Sequence, residues 1–321
     1  MQATITFQNI KEAYKRIRSL VNHTPVRTSD SLNELLDTQL FFKCENQQKS
    51  GAFKFRGATN AVQKLTDEEA QKGVATHSSG NHAAALSLAA HNKNIPAYIV
   101  MPKDAPKIKI ENVKRYEGMI TFCEPTLEAR EEGLEKVIKQ TGATVIHPYD
   151  FEDVICGQGT AAMEMIEEYG PFDIIMTPVG GGGLLGGTSV AAKHMIPDIK
   201  VIAGEPANAD DAYRSFKAGY IIPSQNPNTI ADGLKTSLGN LNFQLIQQYV
   251  DQILTVSEQS IREAMVLLHT HTGIMAEPSS AVPLAAILEN RNIFQRKKVG
   301  IIISGGNISE ENFNRITKAG D

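Results

Sequence analysis

Residues 174–187 read IIMTPVGGGGLLGG, and this stretch decides the fold. Ile174–Val179 is a short apolar run of strand length. Four glycines follow it, and Leu184-Leu185 then opens an amphipathic stretch that reaches His194. A buried strand that passes through a glycine turn directly into a helix is the repeating unit of a parallel sheet. Four consecutive glycines also let several backbone amides converge on one anion, with the positive end of the next helix behind them. No Lys-Ser or Lys-Thr follows, so this is not a nucleoside-triphosphate loop. No acidic residue closes a strand about 20 residues on, as a dinucleotide site requires; Val201–Ala203 runs into Gly204-Glu205 instead. A nucleotide site and a plain flexible turn remain the alternatives for the glycines taken alone.

The same alternation extends in both directions. Strands are expected at Leu40–Lys43, Gly73–His77, Ala97–Met101, Ile120–Cys123, Thr144–Ile146, Val201–Ala203, Ile253–Val256 and Val299–Ile303. Amphipathic helices are expected at Asn81–His91, Leu127–Lys139, Ala161–Glu168 and Ile261–Thr270. Strands alternating with helices imply an α/β class with parallel sheets covered on both faces. Residues 73–148 hold three or four such units, enough for a small domain inserted between residues 1–72 and 149–321 of a larger one. IIPSQNPNT (221–229) reads as an exposed loop.

Bulk properties exclude several function classes. Among 321 residues, 41% hydrophobic and 21% charged is ordinary for a globular protein. A net charge of −4 offers no attraction to nucleic acid or an anionic membrane. No stretch has the ~20 apolar residues of a membrane span, and the N-terminus lacks a signal peptide's continuous apolar core. Cys44, Cys123 and Cys156 lie far apart, which argues against zinc ligation or a disulfide framework and for a reducing, cytoplasmic setting.

Three further stretches carry chemistry. In SGAFKFRG (50–57), Lys54 lies between Phe53 and Phe55, with Arg56 close by. Apolar surroundings and a neighbouring cation each lower a lysine pKa, as a Schiff-base lysine needs; a solvated lysine at a helix start is the plain alternative. In SSGNH (78–82), hydroxyls and free amides lie between a strand and a helix, where α/β sheets bind ligands. The turn suits a carboxylate or phosphate, although Ser and Asn are also ordinary helix caps. SGGN (304–307) directly follows Val299–Ile303, so the Ser304 hydroxyl at a sheet edge suits a heterocyclic nitrogen, or simply ends the strand.

SGAFKFRG, SSGNH, GGGGLL and SGGN, in this order, resemble the fold-type II pyridoxal-phosphate (PLP) enzymes, and among them the serine/threonine dehydratases and serine racemases. The likeness runs from Thr24-Pro25-Val26 to SGGN. Through EPANADD (205–211) and TIADGLKTS (229–237) it extends to eukaryotic-type serine racemases and threo-3-hydroxyaspartate ammonia-lyases. It implies two open, twisted, mostly parallel sheets flanked by helices, in a homodimer. Lys54 is then the Schiff-base lysine, Phe53 lies beside the cofactor ring, and Asn81 bonds its phenolic oxygen. Gly180, Gly181, Gly182, Gly183 and Leu184 cradle the phosphate, and Ser304 faces the pyridine nitrogen. A neutral hydroxyl there leaves that nitrogen unprotonated and the ring a weaker electron sink, which favours elimination or reprotonation over transamination.

For the substrate, a small hydroxy amino acid, the resemblance implies contacts from Ser78, Ser79, Gly80, Asn81, His82 and Arg130. Lys54 serves as base on one face of Cα and Ser79 as proton donor on the other. Dehydratases that only eliminate commonly have SAGNH in place of SSGNH. Arg130 has the geometry to hold a second carboxylate; without the resemblance it reads as a solvated helix residue. Glu205, the Ala209 carbonyl and Asp211 match a site for Mg²⁺, or for Ca²⁺ or Mn²⁺. The expected function is serine racemase with L-serine, and by extension L-threonine, dehydratase activity; a threo-3-hydroxyaspartate ammonia-lyase and a catalytically silent relative are the alternatives. Ala84 and Gly273 depart from the nucleotide site of mammalian serine racemases, whereas Lys49, Tyr116 and Asn307 match it, so strong ATP activation is not expected. Tyr149 stands where those enzymes have asparagine. No regulatory domain is expected after SGGN.

Overall fold

The computed structural model describes residues 5–78, 80–105 and 107–318, with the Leu127 side chain left out. Ten strands form two sheets. The larger uses β1 (Val26–Arg27), β2 (Gln39–Cys44), β7 (Ile174–Pro178), β8 (Lys200–Pro206), β9 (Gln252–Val256) and β10 (Lys298–Ile303), in the order β1-β2-β10-β7-β8-β9. Only β1 is antiparallel, and it was not foreseen because two residues carry no periodicity. The smaller sheet uses β3 (Val74–His77), β4 (Ala97–Pro102), β5 (Met119–Cys123) and β6 (Thr144–Val145), all parallel, in the order β5-β4-β3-β6.

Side chains alternate across the large sheet as a period of two demands. Ile174, Met176, Ile301 and Ile303 enter one core, and Ile175 and Ile302 enter the other. A third core under the small sheet takes in Val74, Ile99 and Leu86, and reaches Phe55 and Val154 outside it. Helix Pro278–Glu289 is buried at every position from Pro278 to Ile287, so it has no polar stripe and no helical period to detect.

Helix Lys54–Lys64 sits at the centre, with residues 55–62 all buried. It crosses helix Glu152–Tyr169 at a glycine contact: a Cβ on Gly157 would stand 2.6 Å from the Gly57 Cα. Because the sheets are parallel, the loops after β2, β3, β6, β7, β8 and β10 all emerge from carboxyl edges. Those carboxyl edges, with the first turns of the helices that follow them, carry every described candidate site residue but Arg130.

Candidate active site

The loop before Lys54 is tied to the loop after β10. Phe53 N–H donates to the Ser304 carbonyl at 2.9 Å, Gly306 N–H to the Gly51 carbonyl at 3.0 Å, and Ala52 bridges Gly305. Ser50 and Gly51 take positive φ (63° and 75°) to make this turn. The pairing places the Lys54 amine over the Phe53 ring, 5.1 Å from its centroid, and 5.9 Å from that of Tyr149. Its Nζ donates to the Pro148 carbonyl at 2.7 Å. Burial lowers its pKa to about 8, so a neutral amine is accessible near physiological pH.

Two expectations about this segment are corrected. Arg56 plays no part in lowering the Lys54 pKa, because its charge is spent inside the protein. It forms paired hydrogen bonds to Glu45 (2.8 and 2.8 Å) and to Glu164 (2.8 and 2.7 Å). Lys43 completes the cluster, 2.7 Å from Glu164, and all four side chains are buried. Phe55 faces the small-sheet core, so the second aromatic beside the amine is Tyr149.

The glycine loop lies beside this amine. Gly182 has φ +92°, open to glycine at little cost, and helix Gly183–Met195 starts immediately after it. The Tyr149 ring rests on Gly181, where a Cβ would come within 2.4 Å of it. Asn242 Nδ2 donates to the carbonyls of Tyr149 and Gly181, at 2.9 Å each, and Leu184 is buried behind the loop. Ser304 is buried with its Oγ 2.9 Å from Ser280 Oγ.

Across the cleft, the turn after β3 opens helix Asn81–Lys93. Gly80 N–H donates to Ser78 Oγ at 3.3 Å, and open space surrounds the Gly80 Cα on its side-chain side. Ser79 lies outside the described residues. Asn81 Nδ2 donates to both Glu277 oxygens at 3.1 Å, and its Oδ1 accepts from Asn307 Nδ2 at 2.9 Å. Asn307, one of the three residues that match the nucleotide site, is thus engaged with Asn81 and Glu277. His82 is buried with Nε2 3.1 Å from the Ile146 carbonyl, and burial lowers its pKa to about 3. Arg130, half-buried, donates from Nε to its own helix at Thr126. Its charge still reaches His77, whose pKa is lowered first by burial and then by Arg130.

The Glu205 carboxylate accepts the Ala212 and Tyr213 amides at 2.8 and 2.7 Å, at the start of helix Asp211–Ala218. Both Asp211 carboxylate oxygens are buried without a hydrogen-bond partner among the described residues. Burial raises the pKa of both, that of Asp211 to about 6. Ala209 ends the 3₁₀ turn Ala207–Ala209 between them. Among the described residues no cluster of three or more His, Cys, Asp or Glu forms a metal site.

Residues 17–305 match the family model described as pyridoxal-phosphate dependent enzyme. The chain belongs to that family. It is 51% identical over 303 residues to the β-hydroxyaspartate dehydratase of Paracoccus denitrificans, covering 94% of this chain and 96% of that one. It is 49% identical over 319 residues to a serine racemase of Dictyostelium discoideum, covering 98% of each. The crystal structure of serine racemase from Dictyostelium discoideum superposes with a TM-score of 0.91 at 50% identity, over 96% of this chain and 100% of that one. The chain is therefore a fold-type II enzyme. PLP fits the residues present: a buried amine that can shed its proton, a side-chain-free glycine turn at a helix start, and a buried hydroxyl at the sheet edge.

Several participants were invisible in the sequence. Glu277, Asn242 and Ser280 reach the site from distant positions, with no local motif beyond Glu277 preceding Pro278 at a helix start. His147 and Pro148 follow the shortest strand of the small sheet and were not singled out.

Proposed function

We propose that this enzyme racemises serine and eliminates water from L-serine, and by extension from L-threonine, to give the keto acid and ammonia. The observation that carries this reading is the half-buried Lys54 amine, held by the Pro148 carbonyl near the glycine loop and the Ser78–His82 turn. When bound, PLP supplies the electron sink that weakens the Cα–H bond of an amino acid. Lys54, Phe53, Asn81, the Gly180–Gly183 loop, Leu184 and Ser304 are the residues proposed to hold it. The Ser78–His82 turn takes the substrate carboxylate at a helix start. Lys54 moves the proton on one face of Cα and Ser79 on the other. Replacing Ser79 with Ala should then abolish racemisation while elimination persists; equal loss of both would remove Ser79 from this role.

The Paracoccus relative favours a second reading, a 3-hydroxyaspartate ammonia-lyase that forms oxaloacetate, with Arg130 holding the second carboxylate. Steady-state rates on L-serine, D-serine, L-threonine and the 3-hydroxyaspartate isomers separate the two. A strong preference for hydroxyaspartate, reduced in Arg130→Ala, would decide for the lyase.

Glu205, the Ala209 carbonyl and Asp211 are proposed to bind Mg²⁺ or another divalent cation; the buried Asp211 carboxylate, whose oxygens meet no donor within hydrogen-bond geometry among the described residues, supports this. The proposed division into a large domain (1–72 and 149–321) and an inserted small one (73–148) puts Lys54 and the Ser78–His82 turn on opposite sides of the cleft. Three free cysteines support a reducing, cytoplasmic location, and the family resemblance supports a homodimer, testable by sedimentation.

A further inference from the structure

Elimination has a difficulty that racemisation lacks: hydroxide is a poor leaving group. No residue assigned so far acts on the β-oxygen. The turn after β6 offers one that can. His147 Nδ1 accepts the Asp150 amide N–H at 2.8 Å, so the proton of the neutral ring resides on Nε2. Nε2 has no protein partner among the described residues. The ring stands edge-on to Tyr149, with centroids 4.6 Å apart at 84°. The turn itself is pinned at both ends. The Asp150 carboxylate caps Asn240 and Leu241 at 2.9 Å each, and the carbonyl of Pro148, the residue after His147, holds the Lys54 amine at 2.7 Å. Burial keeps the imidazole neutral and lowers its pKa to about 4; the Asp150 carboxylate opposes this, and His77 and Lys54 add to it.

We propose that His147 is a further catalytic residue, whose Nε2–H donates a hydrogen bond to the substrate β-hydroxyl as the Cβ–O bond breaks. The inference rests on the proposed function, since it presumes a β-hydroxy amino acid beside Lys54. The Cα proton passes to Lys54 Nζ, and the electron pair of that bond becomes the second bond between Cα and Cβ. Oxygen departs with the Cβ–O pair, recovers the proton from Lys54 and leaves as water. His147 keeps its own proton throughout and stabilises charge building on the oxygen. A neutral donor held in place beforehand suits this, because it needs no reorganisation as the charge develops. Racemisation leaves the Cβ–O bond intact and does not need the contact.

The test compares two leaving groups on PLP-loaded enzyme. Chloride leaves 3-chloro-L-alanine without help from a hydrogen-bond donor, whereas the hydroxyl of L-serine needs it. His147→Phe should lower kcat for water elimination about 100-fold, spare chloride elimination and serine racemisation, and leave the visible cofactor band in place. His147→Gln, which restores an N–H donor, should recover part of the loss. In the wild type, ¹⁵N NMR of labelled histidine should show the Nε2-protonated tautomer at this ring. Equal losses on both substrates, undiminished water elimination, or an Nδ1-protonated ring would each overturn the inference while leaving the function standing. A wild-type enzyme inactive on both substrates would instead overturn the functional reading, and this inference with it.

Discussion

The Lys54 amine and the Pro148 carbonyl are 2.7 Å apart, and this bond joins the helix that follows the large sheet's β2 to the turn that follows the small sheet's β6. It holds the amine against the turn after β6 instead of in solvent. The same burial that makes it unreactive as a cation makes it available as a neutral nucleophile.

Attachment of PLP to the apoenzyme should therefore depend on pH with a midpoint near the Lys54 pKa of about 8. The neutral amine is the reactive form, so the rate rises with pH, about tenfold per unit below the midpoint, and levels off above it. Stopped-flow absorbance on apoenzyme reads this directly. A midpoint near the ordinary lysine value of about 10.4 would contradict the buried placement.

The Arg56 cluster should be the costliest place to cut the fold near the site. Arg56→Met removes the guanidinium that pairs both buried Glu45 and Glu164 and leaves Lys43 beside Glu164 alone, which should destabilise the protein by ~3–5 kcal/mol. Urea unfolding measures this. A loss under about 1 kcal/mol would place the cluster among exposed ion pairs.

Gly182 has φ +92°, and a Cβ there would meet the Asn242 Cβ at 2.8 Å. Gly182→Ala should shift the glycine turn and weaken PLP binding at least about tenfold, or ~1.4 kcal/mol. Spectrophotometric titration of the apoenzyme gives the ratio. Unchanged affinity would mean the phosphate lies elsewhere.

The Asp211 carboxyl is buried with a raised pKa of about 6, so its folded form prefers to be protonated. The stabilising contribution of the neutral acid is complete below its unfolded pKa of about 3.9 and fades as pH rises through about 6. In EDTA, thermal stability should decline across that window. Mg²⁺ should reverse the decline above it, by about 1.5 °C for each kcal/mol of binding, and Asp211→Asn should abolish the Mg²⁺ response. A Tm indifferent to Mg²⁺ in the wild type would remove the proposed cation site.

Much of the proposed cofactor site can be read from the sequence because its parts are local in the chain. The glycine turn, the Ser78–His82 turn and Ser304 each follow a strand directly, and strand-to-helix punctuation is written in neighbouring residues. Arg56 was misread for the opposite reason. In the sequence it is a cation two residues from Lys54, but its partners Glu45 and Glu164 are 11 and 108 residues away and absorb its charge. Helix Pro278–Glu289 escaped because burial on all sides erased the period that marks a helix.

By itself, then, the sequence determined the class of fold and pointed to the lysine and the glycine loop proposed to hold the cofactor, since each depends on residues adjacent in the chain. Tertiary structure alone decided what surrounds them. Asn81 meets Glu277 across 196 residues, and His147 gains its tautomer from a turn locked onto a helix some 90 residues later. Protonation and hydrogen-bond direction are set by whatever is buried alongside, and only the folded chain brings those groups within reach.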